Sequence, residues 1–102
     1  MKMRKFTYQL AGILLKEGEI KKFKELQPYV SKVNFGRDIG IGYKRMNQLF
    51  DSDIGSLSLV EILKAARVLD VDFTDILYVA LEQFQTEVDI KEKIEIKRLD
   101  RN

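Results

Sequence analysis

The chain has 102 residues, 45% of them hydrophobic and 33% charged, with one proline and no cysteine, histidine or tryptophan. Length bounds it to one domain with a short appendage. The missing residue types exclude a Ser-His-Asp triad, a thiolate nucleophile, an imidazole base and the usual zinc sites, so neither an enzyme nor a resident metal or other cofactor is expected.

The formal charge of +2 conceals an asymmetry. Residues 1–50 hold eleven Lys or Arg against four Asp or Glu, net +7, whereas residues 51–102 hold seven against twelve, net −5. Lys21, Lys22, Lys24, Lys32, Arg37, Lys44 and Arg45 face only Glu25 and Asp38, the local excess expected of a polyanion-binding face. The same counts would equally describe a solvated surface whose positive part folds against the negative part.

In chain order, Met1 to Lys5 followed by Phe6 to Leu15 superficially resembles a secretory signal. Thr7, Tyr8 and Gln9 interrupt the apolar run, no small-residue cleavage site follows, and about ten residues are too few to span a bilayer. A soluble, cytoplasmic protein with no membrane partner is the simplest expectation. Tyr8, Leu10, Ala11, Leu14 and Leu15 predict a helix over 7–16 that Gly18 ends, although Phe6, Tyr8 and Leu10 also alternate as in a strand. Ile20, Phe23 and Leu26 form a short apolar stripe that must stop or bend before Pro28.

Ser31 is placed to cap a helix through Ile39, Gly40 to end it, and a second helix is predicted over 43–50. Asp51 to Ser56 has loop composition; it offers no further oxygen ligands at calcium-loop spacing, so Asp51 and Asp53 are read as loop solvation. Ser58-Leu59-Val60-Glu61 is a capping box with Leu57 and Ile62 as a hydrophobic staple, and the helix it opens is predicted to bury Leu59, Ile62, Leu63, Ala66 and Leu69. Asp72 and Asp75 repeat the device for a helix carrying Phe73, Ile76, Leu77, Ala80, Leu81 and Phe84. From Glu87 the period changes: Val88, Ile90, Ile94 and Ile96 fall on even positions between charged odd ones, which predicts a half-buried strand. Ile90 and Ile94 alone would also suit a helix turn. Such a strand needs a partner, either the segment 3–10 or the same tail in another subunit.

The informative stretch is 31–50. Two helices crossing over a tight turn need a small residue where backbones approach, a turn residue tolerant of positive φ, and apolar residues that hold the second helix down. Gly36, Gly40 and the set Ile39, Ile41, Met46, Leu49 and Phe50 supply these in order. At about 100° per residue, Met46, Leu49 and Phe50 share the buried side of the second helix, leaving Lys44 and Gln48 outward, flanked by Tyr43, Arg45 and Asn47. Those side-chain types can read DNA: Asn or Gln can bond bidentately to adenine, Lys or Arg to guanine, and Tyr can bond a phosphate or pack on a thymine methyl.

Over roughly 31–81 the sequence resembles the lambda-repressor-like helix-turn-helix family, of the Cro and phage-repressor type. Gly36 stands four before the turn glycine Gly40, Ile41, Met46 and Leu49 stand one, six and nine after it, and the later blocks Ser58 to Leu69 and Asp72 to Leu77 follow the family's pattern of supporting helices. The resemblance implies that Lys32 anchors a phosphate, that Tyr43, Lys44, Asn47 and Gln48 face base edges or backbone, and that Arg45 reaches phosphates beside the groove. The full candidate DNA-binding set is Lys32, Arg37, Gly42, Tyr43, Lys44, Arg45, Asn47 and Gln48. Where many relatives carry a polar Gln-Thr pair this chain has Lys32-Val33, and the tail from Glu87 has no counterpart in the minimal family domain.

These readings predict an all-α fold, a compact bundle of about five helices with short β segments at the termini. A helix-turn-helix domain is expected over 1–86, with its motif at 31–50 and supporting helices over 58–84, followed by a C-terminal tail over 87–102. The expected function is sequence-specific binding of double-stranded DNA by a repressor-like transcriptional regulator of prokaryotic or phage type, acting as a homodimer through the tail. The alternative is a protein-interaction module, antitoxin-like or an adaptor, that keeps the fold but uses its surface on protein. No small-molecule ligand is evident.

Overall fold

In the computed structural model, backbone is described for residues 2–100 and side chains for residues 7–97. Five α-helices account for most of the chain: α1 (Lys2–Lys16), α2 (Lys32–Ile39), α3 (Tyr43–Asp51), α4 (Leu59–Leu69) and α5 (Phe73–Asp100), with 3₁₀ turns at Phe23–Leu26 and Ile54–Ser56. Among the described residues there is no strand, and no helix is long and apolar enough to cross a membrane.

Local chemistry explains most of the boundaries. Gly18 leaves α1 with a φ of 76°, a conformation that glycine adopts without steric cost. The Ser31 hydroxyl accepts from the Asn34 N–H at 3.3 Å and opens α2. Gly40 closes it in the left-handed region, at φ 77° and ψ 30°, and the Ile41 N–H then donates to the Gly36 carbonyl at 2.7 Å, folding the chain back on the helix end. At the start of α4 the capping box is complete: Glu61 N–H donates to Ser58 Oγ at 3.1 Å and Ser58 N–H to Glu61 Oε1 at 2.9 Å. The Asp72 N–H donates to Asp75 Oδ2 at 3.0 Å at the head of α5.

The core sits where these helices converge. Phe23, from the first 3₁₀ turn, stacks on Phe50 of α3 with centroids 5.2 Å apart and lies 6.5 Å from Phe35 of α2. Tyr8 of α1 meets Phe35 edge-on at 6.0 Å, so an aromatic column ties α1, α2 and α3 together. Ala11, Leu26, Ile39, Met46, Leu49, Ile62, Leu69 and Ile76 fill the space around it.

Three expectations are corrected. The tail is helix, not strand: α5 runs unbroken through Glu87 to Asp100 and crosses the expected domain boundary at 86/87, while Arg101 and Asn102 lie outside the described residues. The segment offered as its strand partner is itself α1. A helix satisfies its own backbone groups, which a lone strand cannot; no glycine or proline interrupts 73–100, and Glu87/Lys91 and Asp89/Lys93 have the favourable acid-before-base i, i+4 spacing. The even-numbered isoleucines are fortuitous, and only Ile90 and Ile94, four apart, share a helix face.

The buried side of α4 is also rotated from the one expected. Ile62, Ala65, Ala66 and Leu69 are buried, while Leu59 is 69% exposed and Leu63 is also exposed. The reason is close approach to α1. A Cβ added at Gly12 would stand 2.4 Å from the Leu69 carbonyl oxygen, so the α1 and α4 backbones meet at the end of α4 that buries Ala65, Ala66 and Leu69. On α5 likewise Val79 is buried while Leu81 and Phe84 are exposed. Finally, Asp51 belongs to the last turn of α3, not to the loop.

Candidate nucleic-acid interface

The candidate interface is the outer side of α3 with the elements that hold it. A Cβ added at Gly36 would meet the Ile41 carbonyl oxygen at 2.5 Å and Met46 Cγ at 2.8 Å, so only glycine lets α2 come this close to the turn and to α3. Met46, Leu49 and Phe50 are fully buried and pin α3 by one face. Its opposite face is left to solvent by geometry.

On that face Lys44 and Gln48 are exposed, one turn apart, and Asn47 beside them is half-buried. Tyr43, the first residue of the helix, is 58% exposed. Gly42 is the N-cap, in extended backbone at φ −69° and ψ 160°, and space around it is open. Neither Lys44 nor Gln48 commits its side chain to a bond with the described residues. Lys32, half-buried, begins α2, and Arg37 is exposed in its last turn.

Arg45 departs from the expected role. Its guanidinium pairs through Nη1 with Glu61 Oε2, and Nη2 donates to Glu61 Oε1 at 2.8 Å and to the Ser56 carbonyl at 2.8 Å. The hydrogen bonds from Arg45 hold the Glu61 carboxyl down at about 2, from an ordinary value of 4.5, with the Ser58 contacts adding to the effect and burial opposing it. Reciprocally, the Glu61 hydrogen bond raises the Arg45 pKa. Arg45 therefore fastens α3 to the head of α4, and Glu61 serves both the capping box and this clamp. Asp51 is a second departure: about 100° per residue puts it near the side of Lys44 and Gln48, at the far end of α3, so the cationic ridge ends in an acid.

Two residues that position this interface escape a reading of motifs. Gln83 on α5 is 2% exposed. Its Oε1 accepts from the Lys24 N–H at 2.6 Å, and its Nε2 donates to the Leu49 carbonyl at 2.9 Å, to the Phe50 carbonyl at 3.3 Å and to Glu87 Oε2 at 3.2 Å. The other oxygen of Glu87 accepts the Ile54 N–H at 3.1 Å. Together they secure the C-terminal carbonyls of α3 and the turn after it, groups that a helix end leaves without intrahelical partners. The signal in the sequence was a Gln on the same arc as Ile76, Val79 and Ala80.

Among the described residues no group of His, Cys, Asp or Glu could hold a metal ion. No buried side-chain nitrogen or oxygen among them lacks a hydrogen-bond partner. Comparison with protein-family models, with curated proteins and with solved structures returns no match to this chain.

Proposed function

We propose that the chain binds double-stranded DNA as a repressor-like transcriptional regulator of prokaryotic or phage type, laying the α3 helix of a helix-turn-helix in the major groove. The observation that carries this reading is the pairing of opposites on α3: a face pinned by Met46, Leu49 and Phe50, and an outward face whose Lys44 and Gln48 are exposed. Gln48 and Asn47 have the donor and acceptor pair that adenine presents a match for, and Lys44 suits guanine. Tyr43, with Lys32 at the start of α2, is placed as a phosphate contact, and Arg37 adds to the positive field. Arg45 is left out of the contact set because Glu61 and Ser56 hold it.

One such helix reads few base pairs, and specific binders of this architecture bring two of them to half-sites about 34 Å apart. A homodimer is therefore part of the proposal. Mobility shift with randomised duplexes, followed by selection and a salt titration, tests it. A DNA-binding face gives log K falling linearly with log salt and an enriched, symmetric sequence; the absence of binding at low salt overturns it.

The second reading, a protein-interaction module, draws on the Asp51 carboxylate at the end of the ridge and the commitment of Arg45 to Glu61, both of which thin the positive charge of this face. A weak association with duplex DNA whose affinity is flat in salt selects it.

A further inference from the structure

Two apolar surfaces have no partner among the described residues, and α5 carries part of both. The first is an open groove between α4 and α5, lined by Leu59, Leu77, Leu81 and Phe84 with Gly55 at its end. Leu59, Leu81 and Phe84 are 69%, 54% and 45% exposed. The second is the projecting end of α5, where Ile90 and Ile94 are about half exposed. At about 100° per residue they continue the arc that Ile76, Val79 and Gln83 bury, so the helix carries its core-facing stripe past the end of the core. Contiguous exposed apolar surface of this kind marks an association site.

Within α5 the tail does not fold back over the groove. α5 is one helix from Phe73 to Asp100 with no glycine or proline at which to fold back. At a rise of about 1.5 Å per residue, 28 residues reach about 42 Å, and the molecule measures 57 × 28 × 23 Å as a result. Ile90 and Ile94 therefore always stand farther along the rod than Phe84.

We propose that both surfaces are closed by a second copy of this chain, related by a two-fold axis that sets the two α5 helices antiparallel, with each projecting end lying along the α4–α5 groove of the other copy. Charge selects this orientation. From Asp70 to Asp89 the chain carries six acids and no lysine or arginine, whereas from Lys91 to Lys97 three lysines stand against Glu92 and Glu95, a net charge of +1. Antiparallel pairing lays the lysine-bearing end along the acidic first half of the neighbouring α5, whereas parallel pairing sets like beside like. Two-fold symmetry makes the contact twice and closes the assembly at two copies. The inference deepens the dimeric reading above but does not depend on DNA.

Sedimentation equilibrium of the full chain across micromolar concentrations tests it directly, with a dimer expected. Leu59→Glu with Leu81→Glu in the groove, and separately Ile90→Glu with Ile94→Glu on the projecting end, each weaken association by more than about a hundredfold while helical circular dichroism is retained. The second pair lies outside the core, so its result does not depend on how well the first folds. Mixing the two variants restores one of the two symmetric contacts and yields a weak heterodimer that neither variant forms with itself. A monomeric wild type overturns the proposal, including one whose groove takes up an unrelated protein. A groove variant that dimerises as well as wild type also overturns it, since that outcome means that tails pair with tails. Failure of DNA binding leaves every one of these readouts unchanged, so the two proposals fall separately.

Discussion

Gln83 shows how one buried amide can settle the position of a helix that it does not belong to. Its oxygen meets the Lys24 N–H and its nitrogen meets the carbonyls that end α3. Gln83→Leu keeps the volume but strands the Lys24 N–H and the Leu49 carbonyl, so we expect a loss of about 2–4 kcal/mol, read as a lower urea midpoint at unchanged slope. Glu61 makes a pH-dependent contribution whose sign follows from its lowered pKa. The group stabilises the fold fully above its ordinary 4.5, and that contribution is lost as pH falls from there toward about 2. Because Arg45 is 36% exposed, solvent screening reduces the effect to on the order of 1–2 kcal/mol. Glu61→Gln should flatten that part of the stability profile between pH 4.5 and 2; a variant whose midpoint falls as steeply as wild type would show that the clamp is not the cause.

At the scale of elements, the same left-handed cap is built from glycine at the ends of α1 and α2 and from aspartate at the end of α4. Gly40 ends α2 at φ 77° and Asp70 ends α4 at φ 54°. Glycine adopts this conformation freely, whereas a residue with a Cβ is strained there by roughly 1–2 kcal/mol. Opposite outcomes are therefore expected: Gly40→Ala lowers the melting temperature and Asp70→Gly raises it, the second through a gain of about 0.5–1 kcal/mol in folding free energy. If both substitutions destabilise, Asp70 owes its place to its carboxylate and not to tolerance of the turn. Caps and turns were legible in the sequence because each depends on residues within four positions: Ser31 and Gly40 for α2, Ser58 and Glu61 for α4. The buried arcs of α4 and α5 were not, because apolar spacing along one helix also admits Leu59 and Leu63 on α4 and Leu81 and Phe84 on α5, all of which are exposed. Which arc is buried depends on how close a neighbouring backbone comes, and Gly12 on α1 sets that distance for α4.

Across the whole molecule, the charge asymmetry is bridged at Arg45–Glu61, a basic-half residue against an acidic-half one. Lys21, Lys24, Arg37 and Lys44 stay exposed, so a positive surface persists despite a formal charge of only +2. Stability and the proposed binding face are largely separate in this architecture, since α3 is held from its buried side. Lys44→Ala together with Gln48→Ala is accordingly expected to lower affinity for a selected operator by more than about tenfold, with stability changed by less than about 0.5 kcal/mol. Gel shift and thermal melting on the same preparation check both halves. A large stability loss would place these side chains in the packing and end the case for this face.

Helical composition, the two caps around α2, the capping box of α4 and the inward set Met46, Leu49 and Phe50 are all readable from residue types and spacing, because each follows from interactions within one or two turns of backbone. The exposed Lys44 and Gln48 were readable for the same reason, being the complement of an apolar face. The commitment of Arg45 to Glu61 and the placement of Gln83 under the end of α3 were beyond local pattern. They are set by contacts spanning 16 and 34 residues. Short-range rules propagate along a chain one turn at a time, whereas the choice of partner for a charge, an amide or an apolar stripe is made only when distant segments meet.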